Sequence, residues 1–256
     1  MIVELARALE KSVQECLEDR IAVSFSGGLD SSTIAAIAKK WSEVGLFTAG
    51  LEGSEDLEAA GKVADELGLR LERVLLGEKA VMDIYGKIYS FYQGSMLKIE
   101  IGVPVYACCS EAARAGYGAI LFGSGSEELF VGYERYYRYA EEGKDLDAIL
   151  KEEFGKLGSG DGAMIKKIAY KCGLEARFPF CSRSVAELAF SVPLEERMAE
   201  RELKKGVLRE AGKLLGVPKT ALERRKKAAQ YGSGVHKVIM RNRKELDERF
   251  PEKLEH

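Results

Sequence analysis

The sequence predicts an α/β fold: a doubly wound, mostly parallel sheet followed by a C-terminal helical layer. Three observations carry the prediction. Short apolar runs at residues 21–25, 44–51, 69–76 and 119–122 alternate with longer segments of helical periodicity, the pattern of successive strand–helix–strand units. Glycine- and serine-rich turns follow the first and fourth runs, at the strand ends where an open parallel sheet holds its ligands. Beyond Tyr139 the alternation gives way to helices with short connections, so residues 1–139 read as the core and 140–253 as a helical part of the same domain.

The first element is an amphipathic helix, because Leu5, Leu9, Val13 and Cys16/Leu17 recur at helical spacing among charges. The strand at residues 21–25 then runs into Ser26-Gly27-Gly28-Leu29-Asp30-Ser31-Ser32, with a helix expected to begin near Ser32. Two consecutive glycines let the backbone turn sharply with its N–H groups pointing inward. Those amides, three hydroxyls and the positive end of the following helix favour a bound phosphate. Asp30 would repel a bare phosphate but suits one carried with Mg²⁺, which takes one or two carboxylates plus phosphate oxygens. A plain strand-to-helix turn with a serine cap is the alternative. Neither a Walker-type nor a dinucleotide-binding glycine motif is present.

Ile34, Ile37 and Ala38 continue one helical face toward Trp41. Residues 44–51 form the second strand, and Glu52-Gly53-Ser54 at its end is a candidate for the adenine or ribose side of a nucleotide. The helix at 55–67 stops at Gly68, a good C-cap, and residues 69–76 alternate as a third strand. Residues 81–92 read as a helix whose Tyr85, Tyr89 and Tyr92 form a packing stripe. Pro104 is expected to open the next helix, ending at Gly116 and Gly118 before the fourth strand. Residues 123–130 repeat the glycine-serine turn into a helix; read alone, this fits a turn capped by Ser126 equally well. Residues 158–162 are expected to be a mobile break.

A hydrophobic share of 46% and a charged share of 31% describe a globular protein in water, and a net charge of -2 argues against bulk electrostatic binding of nucleic acid. No run is long enough to span a membrane and no secretory signal is apparent, so a cytoplasmic location is expected. Cys16, Cys108, Cys109, Cys172 and Cys181 form no C-x-x-C, and only His236 and His256 accompany them. Buried thiols are therefore expected rather than a zinc or iron–sulfur site. One asparagine and three glutamines beside abundant Lys and Glu resemble a hyperthermophile's composition. Residues 254–256 read as an expression-vector remnant.

The first loop resembles the S-G-G-x-D-S signature of the PP-loop ATP pyrophosphatases, which split ATP into AMP and pyrophosphate. Four further segments resemble the synthetase domain of glutamine-dependent asparagine synthetases and their β-lactam synthetase relatives. Thr48-Ala49-Gly50-Leu51-Glu52-Gly53-Ser54 with Asp56 is similar to the second-strand motif, and residues 123–133 to S-G-E-G-x-D-E-L-F-G-G-Y. Glu175-Ala176-Arg177-Phe178-Pro179-Phe180 resembles E-A-R-x-P-F-L-D. Residues 205–209 with 224–234 resemble the K-x-x-L-R and R-x-K…G-x-G region.

The resemblance implies that a substrate carboxylate attacks the α-phosphate of ATP, pyrophosphate leaves, and a nitrogen nucleophile displaces AMP to give an amide. It implies that Ser24, Ala49, Phe122 and Gly123 border the adenosine. Ser26, Gly27, Gly28, Asp30, Ser31 and Ser32 would cradle the pyrophosphate, and Asp30 and Glu127 would hold Mg²⁺. Lys205 and Lys226 would neutralise phosphate charge, Lys226 also stabilising adenylate formation. Read alone, the cluster at 224–227 fits a solvated face or a weak nucleic-acid patch.

Departures from the family pattern are informative. Ser124 stands at the catalytic position where asparagine synthetases carry a glutamate, and Glu127 where they carry an aspartate. Cys181-Ser182 replaces Leu-Asp, and Val131 replaces a glycine. Strand one begins almost at once, so no N-terminal glutaminase half is expected. Nitrogen is then expected from free ammonia, an amine, or a separate glutaminase subunit. The expected function is an AMP-forming amide ligase, asparagine synthetase-like, using ATP and Mg²⁺ on a small carboxylic acid, with a homo-oligomer among its partners. Two readings stand beside it: a PP-loop tRNA-modifying enzyme using the basic segment 237–244, and a nucleotide- or partner-binding protein that lost the chemistry, which Ser124 favours.

Overall fold

A computed structural model of the chain describes residues 1–92, 94–225 and 229–251. Lys226 and the tail 254–256 lie outside the described residues. The first half runs α1 (Ile2–Gln14), β1 (Arg20–Ser24), α2 (Leu29–Ala38), β2 (Glu43–Gly50), α3 (Glu55–Leu67), β3 (Leu71–Leu75), α4 (Glu78–Phe91), α5 (Met96–Arg114) and β4 (Ala119–Leu121). The five-stranded sheet has the order β3-β2-β1-β4-β5 with every neighbouring pair parallel. β1, β2 and β4 are buried almost throughout, which is why they read as apolar runs rather than alternating ones.

Helices cover both faces of the sheet, one core on each. On one face Leu5, Leu9 and Val13 of α1, Ile34 and Ile37 of α2 and Val63 of α3 pack against Ile21 and Val23. On the other, Tyr85 and Ile88 of α4 and Val103 and Cys109 of α5 pack against Ala22, Phe47 and Ile120. The tyrosine stripe of α4 is packing, as expected: Tyr85 and Tyr89 lie 5.7 and 5.1 Å from the Phe250 ring. The chain steps outward from β1 through β2 to β3, then returns to place β4 on the other side of β1. That reversal makes the β1–β4 junction the topological switch point, where a crevice opens at the strand ends.

Three expectations need correction. α2 begins at Leu29, not near Ser32, so Asp30 and Ser31 belong to its first turn. α5 begins at Met96 and carries Pro104 in its interior. A proline ordinarily stops a helix because it lacks the N–H and crowds the preceding turn. Here Ile99, Glu100 and Val103 are buried on either side of that turn, and tertiary packing overrides local preference. Third, β5 (Glu175–Arg177) lies in the part expected to be helical and pairs parallel with β4. Three residues, two of them charged, leave no strand periodicity to read. Arg177 is held by Glu18 and Glu175, a charged edge that discourages pairing with another chain.

The second half comprises α6 (Ser126–Leu129), α7 (Glu134–Glu141), α8 (Leu146–Lys156), α9 (Asp161–Lys171), α10 (Arg183–Ser191), α11 (Leu194–Met198), α12 (Gly206–Leu215), α13 (Lys219–Glu223), α14 (Ala229–Gly232), α15 (Val235–Arg241) and α16 (Arg243–Arg249), of which α6, α9, α12 and α14 border the crevice. Among the described residues no helix is long and apolar enough to cross a membrane.

Candidate functional site

A cleft of about 310 Å³ opens at the switch point, within the range of small-ligand sites. It gathers Ser24, Ser26 and Gly28 from β1 and the turn after it, Asp30 and Ser31 from the first turn of α2, and Ala49 from β2. From β4 and the second turn come Phe122, Gly123, Ser124 and Glu127, and from the distant chain Lys205. Gly27 and Ser32 stand behind the loop, outside the cleft lining. Ser32 is fully buried and its Oγ finds no hydrogen-bond partner.

The first loop is shaped by its own polar groups. The Gly28 N–H donates to Ser26 Oγ (3.3 Å), the Ser26 N–H to Ser31 Oγ (3.4 Å), and Ser31 Oγ donates to the Gly28 carbonyl (3.3 Å). Arg224 ties the loop down from outside, donating to the Ser26 carbonyl and, at 2.7 Å, to Asp56 Oδ1. Gly27 takes φ +66°, and a Cβ there would lie 2.6 Å from the Ala59 carbonyl carbon on α3. Gly27→Ala is therefore expected to cost about 2–4 kcal/mol, combining left-handed strain with overpacking against backbone. A urea melt checks it; a loss under 1 kcal/mol would show that the loop can yield.

Lys205 is the centre of the site. Its Nζ donates to both carboxylate oxygens of Asp30 at 2.8 Å, to Ser126 Oγ at 2.9 Å and to Glu127 Oε1 at 2.7 Å. The residue is only 3% exposed. Burial pulls the ammonium below the ordinary lysine range, while Asp30 pulls it back up. Ser126, read as a possible cap, faces Lys205 instead; Gly125 precedes α6 without a side-chain cap. Gly132 sits hard against the cluster, since a Cβ on it would fall 1.8 Å from Glu127 Oε2 and 2.4 Å from Lys205 Cε.

Lys204 and Lys205 both take left-handed backbone, φ 59° and 56°, a strained pair for non-glycine residues. Arg209 holds them there. Its Nε donates to the Lys204 carbonyl at 2.7 Å and its Nη2 to the Arg224 carbonyl at 3.2 Å, with further bonds to the Leu203 and Leu222 carbonyls. One buried guanidinium thus joins the Lys205 turn to the Arg224 segment. Lysine lacks the planar fork that reaches four carbonyls. Arg209→Lys should lose about 2–4 kcal/mol and weaken binding of the nucleotide expected in this cleft roughly tenfold. Melting together with nucleotide titration tests this; unchanged affinity in a destabilised variant would separate Arg209 from the site.

The wall formed by α6 and the start of α9 has another character. Glu128, Tyr133 and Asp161 face the cleft there, beside Leu157, Met164 and Ile165. Burial raises the Glu128 carboxyl above its ordinary range and pushes the Tyr133 phenol well up. On the β2 side Cys108 borders the cleft and donates to the Phe47 carbonyl at 3.4 Å. Burial pushes that thiol up to about 12, so it is inert at neutral pH.

Other sequence readings fare differently. Glu52-Gly53-Ser54 does not border the cleft: the Leu51 N–H donates to the Ser233 carbonyl at 2.8 Å, so the segment after α14 closes over that strand end. Cys181 is exposed rather than buried, its Sγ 3.5 Å from the Ser124 carbonyl. Val131, at the family's glycine position, does take the left-handed φ of 53°. Its burial with Tyr136, Tyr137 and Leu150, worth about 1.5–3 kcal/mol, offsets roughly 1–2 kcal/mol of strain. The sequence reading missed Arg209, Glu128, Asp161 and Met164. The available signals were the K-x-x-L-R spacing that ends on Arg209 and the motif resemblance of residues 123–133, which includes Glu128. Among the described residues, no group of three or more His, Cys, Asp and Glu could hold a metal, so a metal here would rest on two carboxylates.

Comparison with known sequences gives a consistent result. The family model described as asparagine synthase matches residues 4–166 and 163–254. Putative asparagine synthetase [glutamine-hydrolyzing] 1 of Methanocaldococcus jannaschii is 31% identical over 271 residues, covering 92% of this chain and 50% of the relative. Asparagine synthetase B [glutamine-hydrolyzing] of Escherichia coli K12 is 31% identical over 229 residues, covering 81% and 41%. The chain thus spans about half the length, or less, of the curated relatives it matches. Among solved structures, NMN synthetase from Francisella tularensis aligns over 98% of this chain and 85% of that one, with 15% identity and a TM-score of 0.49.

Proposed function

Because the chain belongs to the asparagine synthase family, we propose that it is an ATP-dependent, AMP-forming ligase that converts a carboxylic acid to an amide. The observation that supports this best is Lys205 held between Asp30 and Glu127, beside the Ser26 to Ser31 loop at the switch point. In this reading the loop amides and hydroxyls bind the β- and γ-phosphates. Ser24, Ala49, Phe122 and Gly123 border the adenosine. The substrate carboxylate oxygen bonds to the α-phosphorus, and the bond from that phosphorus to the bridging oxygen breaks, releasing pyrophosphate. A neutral nitrogen nucleophile then bonds to the acyl carbon, AMP departs with the acyl oxygen's bonding pair, and the nitrogen gives up a proton.

Asp30 and Glu127 fit magnesium. They converge on one cationic point at 2.8 and 2.7 Å through oxygen alone, the donor type that a hard divalent cation takes. Bound there, Mg²⁺ would neutralise phosphate charge. Lys205, freed toward the nucleotide, and Lys226 would add compact positive charge where the leaving pyrophosphate gathers it. The nitrogen source is ammonia, an amine, or a separate glutaminase subunit working in the cytoplasm. Ser124 carries no charge, so the acid is selected by the rest of the cleft, and aspartate is one member of the panel to test.

The experiment is pyrophosphate release from ATP and Mg²⁺ with ammonium, across aspartate, glutamate, their deaminated analogues succinate and glutarate, and other carboxylic acids. Release that depends on one acid, with its amide among the products, supports the reading. ATP binding without release for any acid sinks it in favour of a binding protein.

A further inference from the structure

The cleft is bipolar. Lys204, Lys205, Arg209, Arg224 and Arg225 border it on the phosphate side, while the α6–α9 wall offers Glu128, Tyr133 and Asp161. Glu128 is 5% exposed, and its Oε2 is fully buried without a hydrogen-bond partner. Among the described residues, the two cations whose charge reaches Glu128 are committed elsewhere. Lys205 bonds Asp30, Ser126 and Glu127, and Arg135 bonds Glu153 and Tyr136. A carboxylate held in a protein interior without a partner is costly, and one that borders a ligand cleft has its missing partner supplied by the ligand.

We propose that Glu128 is the binding residue for an ammonium group brought to the acyl end of the cleft. A carboxylate oxygen in so buried a place selects a cation that can also donate hydrogen bonds, since such a ligand favours the ionised form that burial opposes, and the ammonium group does both. Leu157, Met164 and Ile165 border the same cleft and give it apolar surface beside the acid. Two sources carry this chemistry: the nitrogen donor, and an amino group on the carboxylic acid itself. The assignment rests on the ligase reading.

The test uses the intact protein and Glu128→Gln, which keeps the shape and removes the charge. The first arm measures ATP–pyrophosphate exchange with aspartate against succinate and glutamate against glutarate. The second measures amide formation over an ammonium titration. If the acid carries the cation, the variant loses at least about tenfold in preference for the amino acid over its deaminated analogue. If the nitrogen donor carries it, the Michaelis constant for ammonium rises by at least about tenfold while exchange stays within about threefold. Glu128→Asp should recover part of either loss. A variant with both preferences within twofold of wild type, or one whose turnover falls with every Michaelis constant unchanged, overturns the assignment. Glutamine removes the ionisable group whose charged form burial disfavours, so the variant should melt no lower than wild type. Wild type that exchanges with no acid defeats the ligase reading itself, and that outcome is seen before any variant is made.

Discussion

Asp30→Asn should lower pyrophosphate release by roughly 10²–10³-fold while the protein stays folded. Asp30 sits in the first turn of α2, where its charge is favoured by the helix end. Both its oxygens accept from Lys205. Asparagine fills the same space, which matters because Gly123 packs directly on the Asp30 side chain: a Cβ on that glycine would lie 2.8 Å from Asp30 Cβ. The amide, however, turns an N–H₂ toward the Lys205 ammonium and has no charge to offer a divalent cation. Lys205 keeps Glu127 and Ser126, so the folding cost is limited to about 1–3 kcal/mol. The matching control is Cys109→Ser. Cys109 is buried in the helix layer behind the sheet and does not border the cleft, so its replacement should spare the rate even where it lowers the melting temperature. Equal rate losses in both variants would mean that folding residues had been mistaken for chemical ones.

The elements legible in the sequence are those whose signal is local. The helix at 55–67 with Gly68 after it is found as read, because a left-handed cap at φ 66° needs glycine and stops the helix where it stands. β1, β2 and β4 were legible as apolar runs because both their faces are covered. The start of α2 was not, because Leu29-Asp30-Ser31 looks like the polar continuation of a loop. β5 was not, because its three residues carry their meaning only in register with β4. The site divides the same way. The two glycine-serine turns announce themselves, and their meeting follows from the strand order 3-2-1-4-5. The partnership of Lys205 with Asp30 spans 175 positions, and nothing local to either residue encodes it. Glu128 was hidden for another reason: an acid in the first turn of a helix reads as a partner for the helix end, and only the structure reveals that its Oε2 is buried without a hydrogen bond.

Lys205→Met should cost about 3–5 kcal/mol at neutral pH, the range for removing one member of a buried ionic cluster. The loss goes beyond hydrogen bonds, because Asp30 and Glu127 would then face each other without the Lys205 ammonium that both bond. Like charges in a buried space raise each other's affinity for protons above that of the unfolded chain. For carboxyls whose folded affinity is raised, stability is present at low pH and falls as pH rises through the folded value. The gap between variant and wild type should therefore narrow on acidification and widen toward neutrality. Magnesium should act in the same sense, since a divalent cation can replace the positive charge that the two carboxylates bracket in wild type. At a hundredfold excess over its dissociation constant a ligand adds about 2.7 kcal/mol, so millimolar Mg²⁺ should raise the variant's melting temperature well above any shift in wild type. Melts of both proteins at several pH values, with and without Mg²⁺, decide the matter. A variant whose deficit is the same at every pH and indifferent to the metal would show that Lys205 supports the fold by packing alone. A deficit that closes with acid or with metal would identify the lysine as the counter-charge for Asp30 and Glu127. Tight phosphate binding would then require it to be drawn from those acids toward the nucleotide.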